Sequence, residues 1–118
     1  MSKSEYLKQI DKCTIDKGRV SAVEKEYKVT LGDLQKKIIS LADQIDFFDE
    51  ERRALSFAEI LKSKKMLGFD FCDKGLLPIV DAYDNTYIIY MFKEEKWAKI
   101  NIVDGVIFKK KTTLKDVL

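Results

Sequence analysis

The sequence predicts an α+β fold, with N-terminal helices packed on an antiparallel β-sheet and a short C-terminal helix. Apolar residues in the first half recur at steps of three and four, the helical period. In the second half they alternate, or run in short blocks separated by turn residues. The two patterns do not interleave, so the strands have no crossover helices between them and pair antiparallel.

Tyr6, Leu7 and Ile10 mark a first short amphipathic stretch. After a break at Gly18, Val20, Val23 and Tyr27 return at helical spacing, with Ser21 and Glu24 placed as a capping box. Thr30 and Asp33 repeat that signal more weakly. Leu31, Leu34, Ile38, Leu41 and Ile45 then stripe one helix face, which is expected to pack on the sheet. Phe47-Phe48 ends the helical pattern as a short strand or an aromatic plug. In "LSFAEIL", Ser56 and Glu59 form the clearest capping box, opening a helix with Phe57, Ile60 and Leu61 inward. Lys62, Lys64 and Lys65 suit its C-terminal end, and Gly68 stops it.

Leu76 to Ala82 and Thr86 to Phe92 read as strands paired across an Asp84-Asn85 turn, with Pro78 at a strand entrance or edge. Tyr87 to Phe92 is apolar on both faces, which predicts a central strand covered twice. Trp97 to Val103 alternates, and Asp104-Gly105 is a two-residue hairpin signal leading to Val106, Ile107 and Phe108. Thr112 or Thr113 caps a last helical turn, "LKDVL".

The 118 residues are 46% hydrophobic and 36% charged, the balance of a globular protein. They read as one domain, 1–118, with 1–19 as an N-terminal extension. No apolar run approaches the ~20 residues that span a bilayer. "MSKSEYLKQIDK" lacks the apolar core of a secretory signal, so a cytoplasmic location is expected. Cys13 and Cys72 are accordingly expected to be reduced, partly buried thiols.

With no histidine, the chain lacks the commonest general base and metal ligand, which excludes Ser-His-Asp and Cys-His nucleophile systems. The five glycines are scattered singly, so no phosphate loop is present. Asp81 and Asp84 are the best-placed carboxylate pair, yet turns favour Asp for local backbone hydrogen bonds. A net charge of +2 announces no nucleic-acid partner. Its distribution is uneven: Asp43, Asp46, Asp49, Glu50 and Glu51 form an acidic run, and Lys109–Lys111 a basic one. Trp97, Lys99 and Lys109–Lys111 offer a basic stacking surface for nucleic acid as a less favoured alternative. No catalytic set emerges, and binding rather than catalysis is expected.

In order and spacing these elements resemble the SUKH superfamily, the fold of the cell-wall assembly regulator and of many bacterial immunity proteins. Val23-Glu24 with Tyr27, Leu31 and Leu34 is similar to that family's opening helix and the start of its second helix. "LSFAEIL" is similar to its capped middle helix, "GLLPIVDAYDNTYIIYMF" to its signature strand pair, and "TTLKDVL" to its closing helix. Leu31-Gly32 stands where family members usually carry Leu-Pro. The resemblance covers roughly Val20 to Leu118 and implies a curved sheet whose exposed face and loops hold a protein.

What the resemblance implies is a non-catalytic immunity protein that binds and neutralises a toxin domain of a contact-dependent or polymorphic toxin system, nucleases being frequent toxins of that kind. A regulatory protein-interaction module of the same fold is the alternative. The expected partner is a cognate protein toxin, with no cofactor, small-molecule substrate or membrane, and the chain acts as a monomer or weak dimer. Because nuclease toxins are basic along their grooves, the resemblance turns attention to Asp46, Asp49, Glu50 and Glu51. Asp81, Tyr83 and Asp84 join them from the hairpin, Tyr83 as the aromatic anchor that interface hot spots favour.

Overall fold

A computed structural model describes residues 2–45, 49 and 51–118. Helices α1 (Lys3–Lys12), α2 (Lys17–Tyr27) and α3 (Asp33–Leu41) come first, followed by a two-residue strand β1 (Arg53–Ala54). Two short helices follow, α4 (Phe57–Leu61) and α5 (Ser63–Leu67), and then four strands. These are β2 (Leu76–Asp81), β3 (Thr86–Met91), β4 (Lys96–Asn101) and β5 (Val106–Lys111). The strands form one antiparallel meander in the order β1-β2-β3-β4-β5, which is the predicted α+β architecture.

The helix boundaries follow their caps. Helix α2 starts earlier than the Ser21–Glu24 pattern predicts, because the Asp16 carboxylate accepts from the Arg19 N–H at 3.2 Å and Gly18 falls within the first turn. Glu24 instead accepts from the Leu31 N–H at 2.8 Å, fixing the α2–α3 connection. Gly32, not Thr30, stands at the N-cap of α3, and the helix ends at Leu41 although Ile45 beyond it is still buried. Ser56 and Glu59 form the expected capping box, each side chain bonded to the other's backbone N–H. The single helix expected after it is interrupted at Lys62, and α5 ends at Gly68 in the left-handed conformation (φ 75°).

Both faces of β3 are buried, as its sequence predicts. Cross-strand register puts Tyr87, Ile89 and Met91 beside Ile100, Ala98 and Leu76 on one face. Ile88 and Tyr90 lie beside Val80, Leu77 and Trp97 on the other. Ile88, Ile89, Leu77, Val80 and Ala98 have no exposed surface. Phe71 packs edge-on against Tyr87, with ring centroids 5.7 Å apart. The register slips by one residue after Pro78, beyond the end of β1, where a missing N–H costs no β1 bond. The extra residue, Ile79, meets Tyr6 of α1, Ile38 and Leu41 of α3, Leu55, and Ile60 of α4 around one apolar hollow. Residues 3–12 therefore contribute Tyr6 and Ile10 to the same core as the sheet.

Tyr27 joins α2 to the break between α4 and α5. Its hydroxyl donates to the Ile60 carbonyl at 2.6 Å and accepts from the buried Ser63 hydroxyl at 3.0 Å. The chain closes with a single 3-10 turn, Leu114–Asp116, in place of the predicted α-helical turn. Thr113 bonds the Asp116 carboxylate at 2.9 Å, and Leu114, Val117 and Leu118 are buried. Among the described residues no helix is long and apolar enough to cross a membrane.

Ile89→Ala is expected to cost about 2–5 kcal/mol, the usual range for emptying a fully buried aliphatic site. Val106→Ala on the exposed strand β5 should stay within about 0.5 kcal/mol. Urea unfolding midpoints of the two variants against the parent check the contrast.

Candidate functional site

Three connections converge at one end of the sheet. The β1–β2 pairing aligns Arg53 with Asp81, so the start of β1 lies at the end of β2. The Asn101 side-chain amide donates to the Asp84 carbonyl at 3.4 Å, and the Ile102 N–H donates to the Asn85 carbonyl at 2.9 Å. These bonds lock the β4–β5 turn against the β2–β3 turn. Sequence-distant residues thereby come to the same end of the sheet, namely Asp49 and Glu51, then Asp81, Tyr83 and Asp84, then Val103 and Asp104.

Arg53 organises the base of this end. Its guanidinium forms a two-pronged pair with Glu59 at 2.7 and 2.9 Å and reaches Asp81 at 3.5 Å. Glu59 also accepts from the Ser56 N–H at 3.0 Å, so helix capping and strand docking share one carboxylate. The Arg53 bonds hold the Glu59 carboxyl down to about 2, against the burial that works the other way. Asp49 is held low in the same manner, chiefly by its hydrogen bond to Arg52, whose Nε lies 2.9 Å from Oδ2. Its other oxygen accepts from the Glu51 and Arg52 N–H groups at 3.0 and 2.8 Å. Both shifts run opposite to the raised pKa that a proton-donating carboxyl requires.

Of the residues singled out from the sequence, Asp46 and Glu50 lie outside the described residues, as do Phe47 and Phe48. Asp49 is engaged by Arg52, and Asp43, from the same run, by Arg19 at 3.2 Å. Asp81 is shared between Arg53 and the Tyr83 N–H, the latter at 3.0 Å. Glu51, Tyr83 and Asp84 are exposed.

Tyr83 is the most unusual of them. It is 71% exposed, and with Asp84 and Asn85 it forms a run of three residues at positive φ (73°, 53° and 60°). Asn and Asp tolerate this conformation, whereas a bulky aromatic does so at a cost of about 1–2 kcal/mol. The turn is closed on both sides of it, with the Ala82 N–H bonded to the Thr86 carbonyl at 2.8 Å and the Thr86 N–H to the Tyr83 carbonyl at 3.1 Å.

Sequence reasoning missed the exposure of Val103 and Val106. Val103 was expected within a strand but lies in a four-residue turn, Ile102 to Gly105, and is 76% exposed. Asn101 and Asp104 shape that turn by accepting from the Val103 and Val106 N–H groups, each at 2.9 Å, with Gly105 at φ 73° closing it. Val106 and Phe108 on the edge strand are 52% and 42% exposed. Trp97, by contrast, is 3% exposed and packs 4.8 Å from Tyr90, so the stacking role weighed for it is not available. Cys13 and Cys72 are free and half-buried, and burial pushes both thiols up. Among the described residues no cluster of three metal-ligating side chains occurs.

Comparison with protein-family models, with curated proteins and with solved structures finds no match.

Glu59 supplies a pH-dependent test. Its ordinary value is 4.5 and its folded value about 2, so the unfolded chain takes up this proton first as pH falls. The stabilisation is complete above roughly pH 5 and disappears as pH drops through about 2. Glu59→Gln should therefore be less stable at neutral pH, and its stability should fall less steeply over that acid range. Urea melts at a series of pH values measure both effects.

Proposed function

We propose that this chain is a non-catalytic immunity protein that binds and neutralises a bacterial toxin domain. Its contact surface is the turn end of the sheet. The observation that carries the reading is Tyr83, an exposed ring on a left-handed backbone at the meeting point of three loops. Folding gains nothing visible from that arrangement, whereas a binding surface gains a rigid, preorganised aromatic anchor.

Val103, exposed in the β4–β5 turn at the same end of the sheet, enlarges the apolar contact. Glu51, Asp84 and Asp104 supply a rim of carboxylates that favours approach to a basic partner. A nuclease, basic where it grips nucleic acid, is a toxin of the matching kind. Asp49 and Asp81 act here by stiffening the loops through Arg52 and Arg53. The SUKH resemblance of the sequence points to the same activity, since family members of that type work by occluding a partner protein.

The test takes a toxin-like gene neighbouring its own, where the genome carries one, and uses its catalytically inactivated product. Tyr83→Gly removes both the ring and the backbone penalty. It is expected to raise the melting temperature by a few degrees, the equivalent of about 1 kcal/mol, while weakening binding by about thirtyfold or more. Thermal unfolding and calorimetric titration measure the pair of effects. Unchanged affinity would remove Tyr83 from the interface.

A further inference from the structure

The outer half of the sheet carries a second surface. Register places Lys99 opposite Phe108 and Asn101 opposite Val106, so these four side chains share one face of β4–β5. Phe108 and Val106 stand two residues apart on that face and are exposed. The register then slips, and Lys109, at φ 56°, sits at the irregularity. Among the described residues, neither Lys99 nor Lys109 has an ion-pair partner, whereas Lys110 is engaged by Glu94 at 3.3 Å. Burial pushes the Lys99 ammonium down, and repulsion from Lys109 and then Arg52 pushes it further. Two lysines thus lie on or next to a half-covered apolar surface.

We propose that this face is a docking strip for an extended, acidic and partly apolar segment of a protein partner. Its carboxylates sit on Lys99 and Lys109, and its apolar side chains on Val106 and Phe108. The proposal rests on the protein-binding reading above and adds the chemistry of the partner. Side chains two residues apart on a strand lie at the repeat of an extended chain, which suits a segment whose acidic and apolar residues take turns at every second position and so share one face. A carboxylate there relieves the repulsion between the lysines in partly desolvated surroundings, where charge-assisted bonds are strong.

Two other occupants fit less well. A second copy paired along β5 would bring Lys109–Lys111 against the same run, and lysines on an edge strand oppose such pairing. Nucleic acid needs a tract of free cations and a stacking platform. Here Lys110 is neutralised, Trp97 is buried, and Glu94, Glu95 and Asp104 flank the strip.

A short synthetic peptide with glutamate, valine, glutamate and phenylalanine at every second position and serine between them is titrated into the isotope-labelled full chain, followed by nuclear magnetic resonance and fluorescence anisotropy. Shifts are expected at Lys99, Val106, Phe108 and Lys109, with affinity falling as salt rises. Lys99→Gln with Lys109→Gln should weaken binding about tenfold or more, and Lys115→Gln on the exposed C-terminal turn should leave it unchanged. Equal binding by the glutamine version of the peptide would overturn the proposal. So would an unaffected double variant, an absence of shifts at these residues, or tighter binding of oligothymidylate at the same place. Repeated with the neighbouring gene's product, loss of affinity from Tyr83→Gly alone sinks only the strip. Silence of both variants sinks the protein-binding reading as well.

Discussion

The Arg53 guanidinium is the contact on which the rest of the architecture depends. Strand β1 is two residues long and cannot hold its register through backbone bonds alone. Arg53 fixes it by gripping Glu59 of α4 and Asp81 of β2 together. Glu59 has only 15% of its side chain exposed, so this is a partly desolvated, two-pronged bond rather than a solvent-screened surface pair. Loss of Arg53 leaves the Glu59 carboxylate as a charge that water reaches poorly, the costly way to break such a pair. The same carboxylate caps α4, so one cluster orients a helix, an edge strand and the loop that precedes it.

Charge is divided between two tasks. All three arginines act inside the molecule: Arg19 holds Asp43 and the Ala42 carbonyl, Arg52 holds Asp49, and Arg53 holds Glu59 and Asp81. Arg19 also lies 4.8 Å from the centre of the Phe57 ring, drawing the end of α3 and the start of α4 together. A planar guanidinium suits such clamps better than a lysine ammonium does. Much of the acidity noticed in the 43–51 run is consequently spent on shaping loops. Glu51, Asp84 and Asp104 stay exposed at the end of the sheet that carries Tyr83, and among the described residues Lys99 and Lys109 on β4–β5 have no ion-pair partner.

Local chemistry made much of the fold legible. A Ser56–Glu59 box, a stop at Gly68, a turn at Asp84-Asn85 and a two-faced apolar strand at Tyr87 each need only neighbours in sequence, and each formed. The misreadings have one cause, competition from partners that local pattern does not reveal. Asp16 caps α2 before Ser21 can, and Glu24 turns away to the Leu31 N–H. The Asn101 side-chain amide oxygen and the Asp104 carboxylate, accepting from the Val103 and Val106 N–H groups, widen a predicted two-residue turn to four. In the candidate site, Tyr83 and the acidic residues were visible because turns and charge runs are local features. Their arginine partners were not, since Arg53 meets Asp81 across 28 positions of chain. Val103 and Val106 were missed because alternation marks a strand without revealing whether its face is covered.

Tyr83 bears on why the turn end is more than a connection. Its two successors are Asp and Asn, residues that accept a left-handed backbone readily, so the turn chemistry is well chosen everywhere except at the aromatic. A glycine there would satisfy the same geometry without steric cost. Nor does the ring recover that cost by packing, since most of its surface meets solvent. The Asp81 carboxylate and the closing bonds of the turn fix the backbone regardless, which aims the ring outward in one direction. A side chain that is unfavourable for its backbone, unpaid by burial and held rigid fits an external contact better than a folding role, because only a partner converts its exposed area into free energy.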